Sequence, residues 1–134
     1  MSHETTYAEV VEGVRATMAA YAQALDDGRT DDVVDTFCPD GGCEIPGMGI
    51  HEGHDALRTA YAQWKPERHQ RHLVVNTLVT DWNHHEATAV SDVIFVLQGE
   101  SGWAIRLVGR YHDTLHHHDD GAWRFYRRTA RFLT

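Results

Sequence analysis

The chain has 134 residues, with 12 Lys and Arg against 20 Asp and Glu, a formal charge of −8 with its 11 histidines neutral. That length fits one domain able to bury a core with a pocket inside it. The acid surplus excludes the clustered cations that nucleic acid or an anionic membrane surface demands. The most apolar run, Val93-Ile94-Phe95-Val96-Leu97, is far short of a membrane span. The first residues lack a basic-then-apolar leader pattern, and two cysteines are too few for a disulfide framework. The expectation is a reduced, cytoplasmic, single-domain protein over residues 1–134.

Val10, Val14, Met18, Tyr21 and Leu25 recur at spacings of four, four, three and four, one apolar stripe of a helix that Gly28 ends. Thr30 is expected to cap a short second helix with Asp31 and Asp32 in its first turn. Pro39-Asp40-Gly41-Gly42 breaks that helix after Phe37, and a short strand around residues 43–46 leads into the turn Gly47-Met48-Gly49. Ala56, Leu57, Ala60, Tyr61 and Trp64 mark a third helix, stopped by Lys65-Pro66. From His69 the period changes to two. Four long strands are predicted over 70–81, 86–98, 103–117 and 121–133, joined by hairpin turn chemistry and therefore antiparallel. Three helices followed by long antiparallel strands give an α+β domain whose sheet must twist and curl. A curled sheet closed by helices is a cone with an interior.

The segments Tyr21-Ala-Gln-Ala-Leu-Asp26-Asp-Gly28, Phe37 before Pro39-Asp40, Gly53 and Arg71-His72-Leu-Val-Val-Asn76 follow one another in a recognisable order. With Gly109-Arg-Tyr111-His-Asp113-Thr-Leu115 and Asp120-Gly121-Ala-Trp123-Arg-Phe125 before Arg128, nearly the whole chain resembles the SnoaL-like branch of the NTF2-like superfamily. The resemblance implies an NTF2-like cone: three N-terminal helices packed on a strongly curved antiparallel sheet that encloses a cavity. In lyases of that superfamily an Asp near the end of the first helix pairs with a His at the start of the first long strand. Asp26 and His72 match those positions, and Tyr21 matches a Tyr used by some dehydratases. Arg128, with Arg127 as the alternative, matches an Arg that contributes to binding in sterol-type members. The second His of scytalone-type dehydratases has no counterpart in the apolar stretch near Val96 and Leu97.

Elementary chemistry points to the same pair. Asp26 and Asp27 stand at a helix C-terminus, where the dipole disfavours carboxylates, while Asp26 adjoins the apolar stripe. An Asp bonded to one imidazole nitrogen fixes the tautomer, leaving the other nitrogen as a general base. Arg110 and His112 share one face of the third long strand and are further cavity candidates for substrate binding. The run His116-His117-His118 and the pair Cys38-x4-Cys43 lack the ligand set of a zinc site, and no cofactor or metal is assigned. The expectation is a cofactor-independent lyase or isomerase, of dehydratase, cyclase or isomerase type. Its His–Asp dyad would abstract a proton from a small hydrophobic cyclic or polyketide-like substrate. The alternatives are a non-catalytic binding or assembly domain and an oxygenase β-subunit. A strand face bearing Trp103, Ile105 and Leu107 is expected to join two copies through the convex side of the sheet.

Overall fold

The computed structural model describes residues 4–133. In chain order the elements are α1 (Tyr7–Asp26), α2 (Thr30–Asp35), β1 (Phe37–Ile45), β2 (Gly49–Glu52), α3 (His54–Gln63), β3 (Gln70–Trp82), β4 (Glu86–Gly99), β5 (Gly102–His117) and β6 (Trp123–Leu133). The Thr6 hydroxyl accepts the Glu9 N–H to start α1, and Val10, Val14, Met18, Tyr21 and Leu25 are all buried along its inner face. Gly13 interrupts α1 with a residue of poor helix propensity. A Cβ there would meet Trp123 Cδ1 at 2.4 Å, so glycine is what lets that ring lie against the helix. Gly28 takes φ 72°, its N–H bonding the Leu25 carbonyl while the Arg29 N–H bonds that of Ala24. That double bond pattern closes the helix.

Two local expectations are corrected. Arg29, not Thr30, occupies the N-cap of α2 and makes no capping bond; Thr30 is already helical, and its Oγ1 is buried without a partner. The early strand is also longer than expected, because Pro39-Asp40-Gly41-Gly42 lies inside β1. The chain bulges there: pairing with β6 jumps from Phe37 opposite Phe125 to Gly42 opposite Arg127. Residues that read as a helix breaker thus form an irregularity within a strand.

The sheet is six-stranded, ordered β2-β1-β6-β5-β4-β3, and β1 runs parallel to β6 while every other pair is antiparallel. It curls without closing. Helices and sheet share a core that includes Val33, Val34, Phe37, Leu57, Leu115 and Phe125. Bulges along the long strands decide which side chains face inward. One, between Val75 and Leu78, holds Asn76 at φ 56°, a left-handed conformation that Asn tolerates. Another pairs Phe95 with Leu107 but Val96 with Ile105, so Arg106 is the extra residue. The face expected to carry Trp103, Ile105 and Leu107 together is therefore split. Leu107 turns inward beside Phe95, while Trp103 and Ile105 stay on the outer side, half or more exposed.

Candidate active site

Between α1, α3 and the inner face of the sheet lies a cavity of about 430 Å³. Its apolar wall includes Leu25, Ile45, Trp64, Val93, Phe95, Leu107 and Phe132, and its polar groups come from Tyr21, Tyr61, Gln63, Gln70, His72 and Tyr111. A second, open groove of about 1000 Å³ runs between α1 and β3, and His72 belongs to the walls of both.

The last residue of α1 and the third of β3 meet at the cavity. His72 Nδ1 lies 2.6 Å from Asp26 Oδ1, the His72 backbone N–H donates to Asp26 Oδ2 at 2.7 Å, and Gln70 Nε2 donates to Oδ1 at 3.1 Å. Three donors thus hold one carboxylate whose side chain is 4 % exposed. Because Nδ1–H donates to the Asp26 carboxylate, Nε2 is left as the acceptor. Nε2 bonds no described residue, and the ring rests on Phe95 at 4.7 Å between centroids. Asp27, the neighbouring carboxylate, points outward to Arg29. Gln70 was not anticipated. Its signal lay in the strand period, which puts it on the face of His72 two residues later.

Tyr21 and Tyr61 bring their hydroxyls to 2.6 Å, and the Tyr61 hydroxyl faces Cys43 Sγ at 3.8 Å. Burial pushes both phenols and the Cys43 thiol upward, so all three stay protonated. In the sequence Tyr61 only marks the period of α3; its place beside Tyr21 comes from the fold.

Arg128 does not line the cavity. Its side chain is 0 % exposed and pairs with Asp113, Nε to Oδ1 at 3.0 Å. The guanidinium carbon lies 3.5 Å from the Tyr111 ring centroid, 4.4 Å from that of Tyr21 and 4.3 Å from that of Phe125. Those rings stand where a substrate contact would have to be. Burial raises the Asp113 carboxyl to about 6, against the pull of Arg128. The alternative, Arg127, caps backbone carbonyls of Asp40 and Tyr126.

Arg110 and His112 are exposed on the outer side of β5, and Arg110 pairs with Asp92. Their expected face was the wrong one. Tyr111 and Asp113 turn inward instead, in step with Leu107 and Leu115. The strand-end histidines have local partners: His116 bonds Glu86 and stacks on Tyr126, His117 stacks on Trp123, and His118 lies between Cys38 and Arg124. Among the described residues no three His, Cys, Asp or Glu side chains form a group that could hold a metal ion, and no helix is long and apolar enough to cross a membrane.

Residues 6–129 match the profile of the SnoaL-like domain. Among solved structures, a protein of unknown function from Mycobacterium tuberculosis is 26 % identical with a TM-score of 0.85, over 92 % of this chain and 71 % of that one. A candidate aromatic-ring hydroxylase from Novosphingobium aromaticivorans is also 26 % identical with a TM-score of 0.85, over 97 % and 93 %. A candidate scytalone dehydratase from the same organism shares the fold at 24 % identity and a TM-score of 0.81, over 92 % and 84 %. No curated protein matches the sequence.

Proposed function

The chain belongs to the SnoaL-like family, with the NTF2-like fold, in which cofactor-independent dehydratases and isomerases occur, and from that premise we propose that it is a lyase or isomerase of this kind. The observation that carries the reading is the 2.6 Å bond between Asp26 and His72 Nδ1, at the wall of an apolar cavity. His72 Nε2 removes a proton from a carbon beside a carbonyl or leaving group. Asp26, fixed by Gln70 and the His72 backbone, keeps the ring oriented and stabilises the charge it takes up. Tyr21 and Tyr61 close around the substrate as neutral phenols.

The test is carbon-bound proton exchange. Incubated in D₂O with bicyclic ketones and followed by proton NMR, the protein should catalyse exchange at the carbon next to the carbonyl. His72→Ala should lower the rate by about 10²–10⁴-fold, the usual contribution of a positioned acid–base group. Full activity in that variant rules the mechanism out. Ligand binding with no exchange in the unaltered protein favours the non-catalytic binding domain instead.

We also propose that two copies pair through the outer side of the sheet. Leu73, Val75, Leu78, Trp103, Ile105 and Val108 are exposed to 46 %, 41 %, 56 %, 50 %, 66 % and 37 % there, a group of large apolar side chains of the kind that marks interaction surfaces. Light scattering should read a dimer, and a monomer at all working concentrations removes the proposal.

A further inference from the structure

Two of the cavity's hydroxyl groups satisfy each other: Tyr21 and Tyr61 share a hydrogen bond at 2.6 Å in which either can donate, and the Tyr61 hydroxyl also reaches Cys43 Sγ at 3.8 Å. Tyr111 differs. It lines the same cavity and is only 5 % exposed, yet its hydroxyl bonds no described residue. Among the described residues, the side-chain polar atoms that are sealed off without a partner are Thr30 Oγ1 and Arg128 Nη1. The Tyr111 oxygen is not one of them, so it opens on the cavity. A buried phenol needs a hydrogen-bond partner, and here only the cavity's occupant can supply it.

Its surroundings suit a donor. Tyr111 is flanked across the sheet by Ser91 and Ala130, small residues that leave the ring room. The Arg128 guanidinium stacked at 3.5 Å draws electron density from the ring and strengthens the O–H as a donor. Burial keeps that proton in place, pushing the phenol up while Arg128 pulls it down. The lining favours a neutral occupant: among the described residues no Lys or Arg lines the cavity, which leaves His72 as the one side chain there able to pair with a carboxylate or phosphate. At protein packing density, about 430 Å³ of space accepts a molecule of up to roughly 300 Å³, so a compound of two or three fused rings fits with room to spare.

We propose that Tyr111 is the hydrogen-bond donor to the substrate's oxygen, and that the cavity selects neutral cyclic ketones over the matching hydrocarbons. The proposal rests on the lyase or isomerase reading for its chemistry, though not for its binding. As His72 Nε2 takes the proton beside the carbonyl, the C–H electron pair becomes the enolate double bond and the carbonyl pair moves to oxygen. Tyr111 donates to that oxygen, the role of an oxyanion-hole group.

The experiment uses the full chain with 1-tetralone, 2-tetralone and the hydrocarbon tetralin, measuring affinity for each and exchange for the ketones. The unaltered protein should bind at least one ketone about tenfold more tightly than tetralin. Tyr111→Phe, which keeps the ring on Arg128, should erase that preference and lower exchange about 10²-fold, with tetralin affinity and melting temperature unchanged. A retained preference in Tyr111→Phe overturns the proposal, as does an unaltered protein that prefers neither ketone to tetralin. His72→Ala separates the two readings: lost exchange with the ketone preference intact supports both. Undiminished exchange in His72→Ala with the preference intact overturns the dyad and upholds Tyr111. Should Tyr111→Phe fail to fold, the carbonyl ¹³C resonance of labelled ketone on the unaltered protein reads the donor directly. A downfield shift is expected, and an unshifted signal overturns the proposal.

Discussion

Asp26–His72 and Asp113–Arg128 are both carboxylates paired with a nitrogen side chain from another element, at 2.6 and 3.0 Å. One spans a helix end and an edge strand, the other two neighbouring strands. Their surroundings differ more than their geometry. The His72 side chain keeps 17 % of its surface and one ring nitrogen toward open space, whereas Arg128 and Asp113 keep none, and the guanidinium lies against three aromatic rings. A pair becomes available for proton transfer only where one of its atoms reaches a substrate. A pair sealed away can influence chemistry only through the groups stacked on it, here Tyr111.

Three measurements sharpen that contrast. Arg128→Met strips the sealed pair of its cation and should destabilise the fold by about 3–5 kcal/mol, the cost of leaving one partner of a buried pair alone; urea unfolding reads it. A loss under about 1 kcal/mol would mean that the pair is not a structural anchor. The second effect concerns pH. The Asp113 carboxyl is raised from 3.8 to about 6 by burial, so the folded state holds this proton more tightly than the unfolded chain. Its contribution to stability is full below about 3.8 and is lost as pH rises through about 6. Compared with Asp113→Asn, the unaltered protein should therefore lose up to roughly 3 kcal/mol between pH 4 and pH 7. Parallel stability curves for the two would contradict the assignment. The smallest effect is that of His72→Ala on stability. Asp26 keeps the Gln70 amide and the backbone N–H of residue 72, so unfolding should shift by about 1 kcal/mol or less, even as exchange activity collapses.

Much of the fold was readable because its signals are local. The stripe Val10–Leu25, the Gly28 stop, α3 before Lys65-Pro66 and the four long strands follow from period and turn chemistry, and each lies within a few residues of its expected bounds. β1 was not readable to its full length. Its Pro-Asp-Gly-Gly segment carries breaker chemistry, and pairing with β2 on one side and with the distant β6 on the other draws it into the sheet. Asp26 and His72 could be singled out as candidates because both stood against or beside a local pattern. The face of β5 could not be chosen, since Arg110 and His112 alternate with Tyr111 and Asp113 and each set contains chemistry.

The sequence by itself determined the order of the three helices and the four long strands, though not the short β2, together with the apolar face of α1 and the identity of the acid and the histidine worth watching. These depend on spacing along one stretch of chain, which period and propensity encode directly. The tertiary structure alone decided that Gln70 braces Asp26, that Arg128 is sealed behind Tyr111, and that an extra residue at Arg106 turns Leu107 inward while Ile105 stays out. The physical reason is parity. In a strand, one bulge reverses every side chain beyond it, and the place of a bulge is set by the neighbouring strand rather than by the residues that form it.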